Sequence, residues 1–145
     1  MDISVQHRIE GFSAAELFQV AVDVESYPDF LPFCIAAKIV KCDGDELTVD
    51  NVFGLGPVRT RFTTKACLSE PDGIVITSNE SPFRELTITW SFAEDETSGC
   101  MVNFAMKQVF RSSLMERLST PLAATLEQQL VKNFEIRARK VFKRP

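Results

Sequence analysis

Side chains able to do chemistry are few in this 145-residue chain, and their spacing assembles no familiar centre. The one histidine, His7, stands far in sequence from the four cysteines, Cys34, Cys42, Cys67 and Cys100, which form no C-x-x-C pair, so a zinc site is not expected. Gly54-Leu55-Gly56 lacks the third glycine and following helix of a dinucleotide fingerprint and reads, with Pro57, as a turn. No P-loop, nucleophile elbow or H-E-x-x-H motif occurs in the sequence. Asp50 and Glu85 fall in strands at positions that read as solvated. An enzyme would have to work with isolated acids or hydroxyls, and the expectation is a non-catalytic protein that requires no cofactor.

Binding of something apolar is the better match to the residues present. The chain holds 12 Phe against one Trp and one Tyr, a balance that favours large apolar surfaces with few polar handles. Such surfaces suit either a dense core or an apolar cavity. His7, Asn51, Thr60 and Thr64 are the polar groups expected to face inward, enough to orient one polar head. Burial of a CH₂ group is worth roughly 0.8 kcal/mol, so a five-carbon isoprene unit could contribute on the order of 3 kcal/mol before ordering costs.

Charge narrows the partners. The net charge of −4 argues against a generic nucleic-acid binder, and no DNA is expected as a partner. Lys132, Arg137, Arg139, Lys140, Lys143 and Arg144, against the one acid Glu135, nevertheless give residues 132–145 a charge of +5 and leave −9 on the remainder. These bases either complement the negative end of a helix or form a patch for lipid head groups or RNA phosphates, and the sequence leaves both open. Met1-Asp2-Ile3-Ser4 carries no signal-peptide pattern and no 18-residue apolar run follows, so a cytosolic protein with reduced thiols acting as small hydrophobes is expected.

The elements that must position these residues are legible in the periodicities. Ile3, Val5, His7 and Ile9 alternate with polar residues as in a half-buried strand. Ser13-Ala14-Ala15-Glu16 has the spacing of a capping box and starts a helix running to about Val24. Tyr27, Phe30, Leu31 and Phe33 make the next connection unusually apolar, either as a lid on a sheet or as a mouth exposed to membrane. Strands are expected at about 34–42, 46–53, 58–69, 74–80, 85–93 and 100–111, joined by short turns and hence antiparallel. From 113 to 142, Leu114, Leu118, Leu122, Leu126, Leu130, Phe134, Ala138 and Val141 keep one helical stripe, which Ser119-Thr120-Pro121 should break or kink. The stripe has the concave face of the sheet to pack against.

Tyr27-Pro28-Asp29-Phe30-Leu31-Pro32-Phe33-Cys34 resembles the Y-P-x-F-L-P-W-C signature of coenzyme-Q-binding START-domain proteins, a family whose bacterial branch includes ribosome-association toxins. Pro82-Phe83-Arg84-Glu85-Leu86 leading to Trp90-Ser91-Phe92, Cys100-Met101-Val102-Asn103-Phe104 and Phe134-Glu135-Ile136-Arg137-Ala138 extend the similarity over nearly the whole chain. Phe33 stands where the signature usually has Trp, which keeps bulk but removes an N–H donor. Phe62-Thr63-Thr64-Lys65-Ala66 lacks the Ser-Arg pair of the family. The resemblance implies an α+β helix-grip fold, a seven-stranded antiparallel curved sheet wrapped around a long C-terminal helix in the order β-α-α-β6-α.

With residues 1–145 as one START-like domain, the expectation is a non-catalytic carrier of a hydrophobic isoprenoid lipid, ubiquinone above all, supporting respiration or quinone biosynthesis. The residues expected to line its cavity are Phe30, Phe33, Phe53, Phe62, Trp90, Phe104, Leu126, Leu130 and Phe134. The alternation that selects them is equally met by a solid core. Transient contact with the inner face of a membrane is part of this reading. The resemblance also allows a toxin that binds the large ribosomal subunit through Arg137, Arg139 and Lys140 and blocks subunit joining, and, from the wider superfamily, a polyketide cyclase or aromatase.

Overall fold

The computed structural model describes residues 1–55 and 57–145. Part of the turn read at Gly54 to Pro57 therefore lies outside the described residues. Strand β1 (Asp2–Glu10) is followed by helix α1 (Ala14–Val22) and a 3-10 turn at Val24–Asp29. Six strands come next: β2 (Cys34–Asp43), β3 (Glu46–Leu55), β4 (Val58–Ser69), β5 (Gly73–Ser78), β6 (Phe83–Glu94) and β7 (Gly99–Phe110). The chain ends in α2 (Ser113–Ser119), a 3-10 turn at Thr120–Leu122 and α3 (Ala123–Val141). This is the helix-grip order, with 3-10 rather than α geometry in the second helical position.

Local chemistry accounts for the boundaries. The Ser13 hydroxyl accepts from the Glu16 N–H at 3.1 Å and the Glu16 carboxylate accepts from the Ser13 N–H at 3.0 Å, completing the capping box that starts α1. Gly44 takes a φ of 58° in the turn between β2 and β3, a left-handed conformation that glycine adopts without steric cost. Pro121 lies in the 3-10 turn, and the backbone stays right-handed helical through Ser119, Thr120, Leu122 and Ala123. Of the two outcomes expected, the structure therefore combines both: α2 and α3 are separate helices on one nearly continuous path.

The seven strands form one antiparallel sheet in the order β1-β7-β6-β5-β4-β3-β2. Connections between β2 and β7 join neighbours, whereas α1 and the first 3-10 turn carry the chain from one edge to the other. Register shifts in β2, at Cys34/Ala36 and Ile39/Lys41, are bulges of the kind that bend a strand. Alternation puts Phe62, Thr64 and Ala66 of β4, Leu86, Ile88, Trp90 and Phe92 of β6, and Val102, Phe104 and Met106 of β7 on the buried face. Leu126, Leu130, Phe134 and Ala138 of α3 are buried against that side.

One alternative is decided and two expectations change. Tyr27, Phe30, Leu31 and Phe33 are all buried, so the apolar connection packs as a lid on the sheet. Its tyrosine is fixed by an O–H bond to the Ala21 carbonyl, and burial pushes the phenol well above its ordinary range. The stripe of the terminal helices leaves the core at both ends: Leu118 and Leu114 are 39% and 55% exposed, and Val141 is exposed too. Finally, only Cys34 and Cys100 behave as small hydrophobes, since Cys42 and Cys67 are exposed.

Candidate functional site

The concave face and α3 enclose an aromatic interior with two branches. Phe33, Phe53, Phe62, Phe83 and Phe110 form a row across the sheet, with successive ring centroids 4.9, 4.6, 4.8 and 5.1 Å apart. Deeper in, Trp90 lies 4.7 Å from Phe134 and 4.8 Å from Phe104, and Phe30 lies 6.1 Å from Phe134. All nine residues expected to line a cavity are buried. They do not all face open space.

Two spaces matter. Between the start of β2, the adjoining ends of β3 and β4, and the start of α3, a cleft of about 320 Å³ opens to solvent, lined by Pro32, Phe33, Ile35, Leu122, Leu126 and the Arg59 side. Behind it lies a void bounded by Tyr27, Phe33, Val49, Phe53, Ile76 and Ile88, with Asn51 and Thr64 in its wall. That void leaves about 10 Å³, room for one water at most. Among the described residues Phe33 lines both spaces. Of the expected lining residues, Phe33, Phe53 and Leu126 border these spaces, while Phe62, Trp90, Phe104, Leu130 and Phe134 pack in the core. Phe30 instead borders a wider trough of about 520 Å³ with Asp29, Asn133, Ile136, Arg137 and Lys140. That trough is an open polar surface crossed by an Arg137–Asp29 ion pair at 3.5 Å, and we set it apart from the aromatic interior.

The polar candidates divide in the same way. Asn51 and Thr64 come together: the Asn51 amide donates to the Thr64 hydroxyl and to the Val49 carbonyl, each at 3.0 Å. Thr60 sits across from Phe53 in the β3–β4 register, and its hydroxyl is buried with no hydrogen-bond partner among the described residues. The Gln108 side-chain carbonyl is unpartnered in the same sense, whereas the Trp90 indole N–H, which completes no hydrogen bond of ordinary geometry, acts on the Tyr27 hydroxyl and partly offsets the rise that burial imposes on that phenol. A buried polar atom left so costs about 1–3 kcal/mol, which makes a water or ligand partner favourable at each. Alternation along β7 placed position 108 on the inner face, but a glutamine among apolar residues carries no sequence signal of its own.

His7 does not join this set. Its imidazole is half-exposed at the β1 edge, 2.6 Å from the Glu135 carboxylate of α3, which also accepts from Arg139 at 3.1 Å. Partial burial raises the Glu135 carboxyl, but the bonds from His7 and Arg139 outweigh it and hold the group below its ordinary range. This is a latch between helix and sheet edge. Cys34, beside the mouth, is no nucleophile, because burial pushes its thiol up to about 12. Asp50 and Glu85 pair with Arg61 and Lys107 on the outer face, at 3.8 and 3.6 Å, as solvated acids do.

The C-terminal bases are less available than their number suggests. Arg144 binds Glu16 at 2.6 Å, donates to the Gly11 carbonyl at 2.7 Å and lies 4.6 Å above the Phe12 ring. Arg137 and Arg139 are engaged with Asp29 and Glu135. Among the described residues Lys132, Lys140 and Lys143 are the exposed bases of this region without an ion pair.

Residues 11–135 match the family described as polyketide cyclase / dehydrase and lipid transport, and the chain belongs to it. Among curated proteins it is similar to the ribosome association toxin RatA of Escherichia coli K12, 27% identical over 131 residues that span 90% of this chain and 83% of that one. It is also similar to the mitochondrial coenzyme Q-binding protein COQ10 of Dictyostelium discoideum, 29% identical over 109 residues, 70% of this chain and 53% of that one. In fold it resembles a START superfamily protein from Mycobacterium smegmatis, with a TM-score of 0.77 over 97% of this chain and 98% of that one at 15% identity. No helix among the described residues is long and apolar enough to cross a membrane.

Proposed function

We propose that this chain is a non-catalytic carrier of a hydrophobic isoprenoid lipid of the polyprenyl-quinone class, such as ubiquinone. The observation that carries the reading is the position of Phe33, which lines both a solvent-open apolar cleft and an inner void walled by an amide and a hydroxyl. A tail seated in the cleft would continue inward once that ring turns, and a quinone carbonyl would find donors in the Asn51 amide and the Thr64 hydroxyl. The name of the coenzyme Q-binding relative supports the ligand class. Organic extraction of protein purified from its own host, followed by mass spectrometry, tests it. A stoichiometric polyprenyl quinone is expected. An empty extract from folded protein would refute resident binding.

A second reading, binding to the large ribosomal subunit, is favoured by the greater span of the similarity to the ribosome association toxin. The contact would then fall to Lys132, Lys140 and Lys143 rather than to Arg137 and Arg139, which hold intramolecular pairs. Sedimentation with separated subunits decides whether it occurs.

A further inference from the structure

The apolar stripe of the terminal helices does not stop where the core stops. Leu130 and Leu126 are buried, Leu122 is half-buried at the cleft, and Leu118 and Leu114 are 39% and 55% exposed. Neighbouring leucines lie one turn apart, but each four-residue step also rotates by about 40° around the axis, so the line winds out of the core past the cleft and ends on α2 at the surface. Ile35, 39% exposed, stands on the opposite lip. Two bases flank this rim, and Glu127 of α3, next in sequence to Leu126, is the exposed acid beside its lining. Arg117 lies between the two exposed leucines on α2 and Arg59 lines the cleft; both are exposed and neither has an ion pair among the described residues. The one acid of α2, Glu116, is turned to the protein, accepting from the Phe110 N–H at 2.9 Å and facing the N-terminal amine at 3.5 Å. A cationic, leucine-tipped rim on a chain of net charge −4 is complementary to an anionic lipid surface.

We infer that the mouth docks on anionic bilayers through α2, with Leu114 and Leu118 entering the interface and Arg59 and Arg117 meeting lipid phosphates. Arg144 of the C-terminal tail is folded back on Glu16 and Phe12, and the exposed Lys132, Lys140 and Lys143 are not among the residues that line the cleft. The inference rests on the carrier reading for its purpose: docking in this pose sets the open end of the cleft against the lipid.

Flotation of the full chain with vesicles of phosphatidylcholine, with and without about a third phosphatidylglycerol, tests it. Binding is expected only to the anionic vesicles and should weaken as salt is raised, because surface charges are screened. Each of Arg59→Gln and Arg117→Gln should weaken it about fivefold. The pair Leu114→Ser and Leu118→Ser should reduce it by more than about tenfold with native circular dichroism and only a small fall in Tm, from the covered part of Leu118 and the lower helix propensity of serine. Equal binding to neutral and anionic vesicles, or undiminished binding by the serine pair, would overturn the proposal. So would light scattering that shows a dimer dispersed by the serine pair, which would make the stripe a self-association face. Extraction of bound quinone from the same preparations separates the two ideas, because docking without ligand sinks the carrier reading alone, and ligand without docking sinks this one alone.

Discussion

Replacing Phe33 by alanine separates a gate from an ordinary core residue. The ring is buried, lies 4.9 Å edge-on from Phe53 and belongs to the residue that lines both the inner void and the cleft. Truncating a buried phenylalanine costs about 3–5 kcal/mol where the surroundings cannot collapse; the solvent-open cleft of about 320 Å³ lets water replace the ring, so about 3 kcal/mol is expected. A domain of ordinary stability, about 5–15 kcal/mol, survives that loss. The consequence for access follows from the ring pair. An edge-to-face contact is worth about 0.5–1.5 kcal/mol, so if turning Phe33 off Phe53 limits passage, its removal should speed ligand entry about two- to tenfold. Trp90, the sole tryptophan, is fully buried 6.5 Å from Tyr27 in the wall of the void, and its quenching by a short-tailed quinone in stopped flow reports arrival. Phe83→Ala is the control, because Phe83 belongs to the same aromatic row but borders neither space. Both variants should be destabilised in urea, and only Phe33→Ala should quench faster. Equal quenching rates in the two would refute the gate and leave Phe33 as packing.

Other substitutions test the remaining links. Asn51→Leu removes donors to Thr64 and Val49 and should cost about 1–3 kcal/mol in urea denaturation while weakening quinone affinity; an unchanged affinity would take the amide out of the site. Leu130→Arg puts a charge at a fully buried position and should unfold the chain, so a variant with native circular dichroism would show a cavity there after all. Glu135 has its carboxyl held below the ordinary range, so the stability it contributes is complete above the unfolded value and disappears as pH falls through the folded one. Glu135→Gln should therefore lower Tm at neutral pH and flatten its fall on acidification; parallel Tm–pH curves for both proteins would mean the latch contributes nothing. Combined Lys132→Glu, Lys140→Glu and Lys143→Glu should lower Tm by no more than a few degrees, through lost dipole complementarity at the end of α3, and abolish sedimentation with the large ribosomal subunit if that reading holds.

The sequence exposed the scaffold because its signals are local. Strand alternation, the Ser13–Glu16 box and the four-residue stripe each depend on residues a few positions apart, and each reappears in the fold. The inward placement of Asn51, Thr60 and Thr64 was equally readable, since a pleat fixes the face of every second residue. What alternation cannot carry is volume. Phe62, Trp90 and Phe134 face the interior as expected, but whether they border space depends on how rings from four separate elements interdigitate. Pairing across long sequence distances is hidden for the same reason. His7 meets Glu135 and Glu16 meets Arg144, each 128 residues apart, so a run of C-terminal bases looked like a free patch although half of it is tied down.

A closed interior and a carrier function are compatible only if the first part of the ligand repays the opening. Parting Phe33 from Phe53 costs about 0.5–1.5 kcal/mol and breaking the Asn51–Thr64 bond a similar amount. One isoprene unit leaving water returns on the order of 3 kcal/mol before ordering. The first unit therefore only balances the opening, and the second and third should show as net affinity. Units beyond the mouth stay outside and add nothing. Quinones of increasing tail length should thus bind weakly, then more tightly by about tenfold or more per unit, and then level off. A homologue without a tail that bound as tightly as the long ones would mean that the ring head alone is recognised. The aromatic interior would then be a core, and the basic lysines of α3 would become the better place to look for a partner.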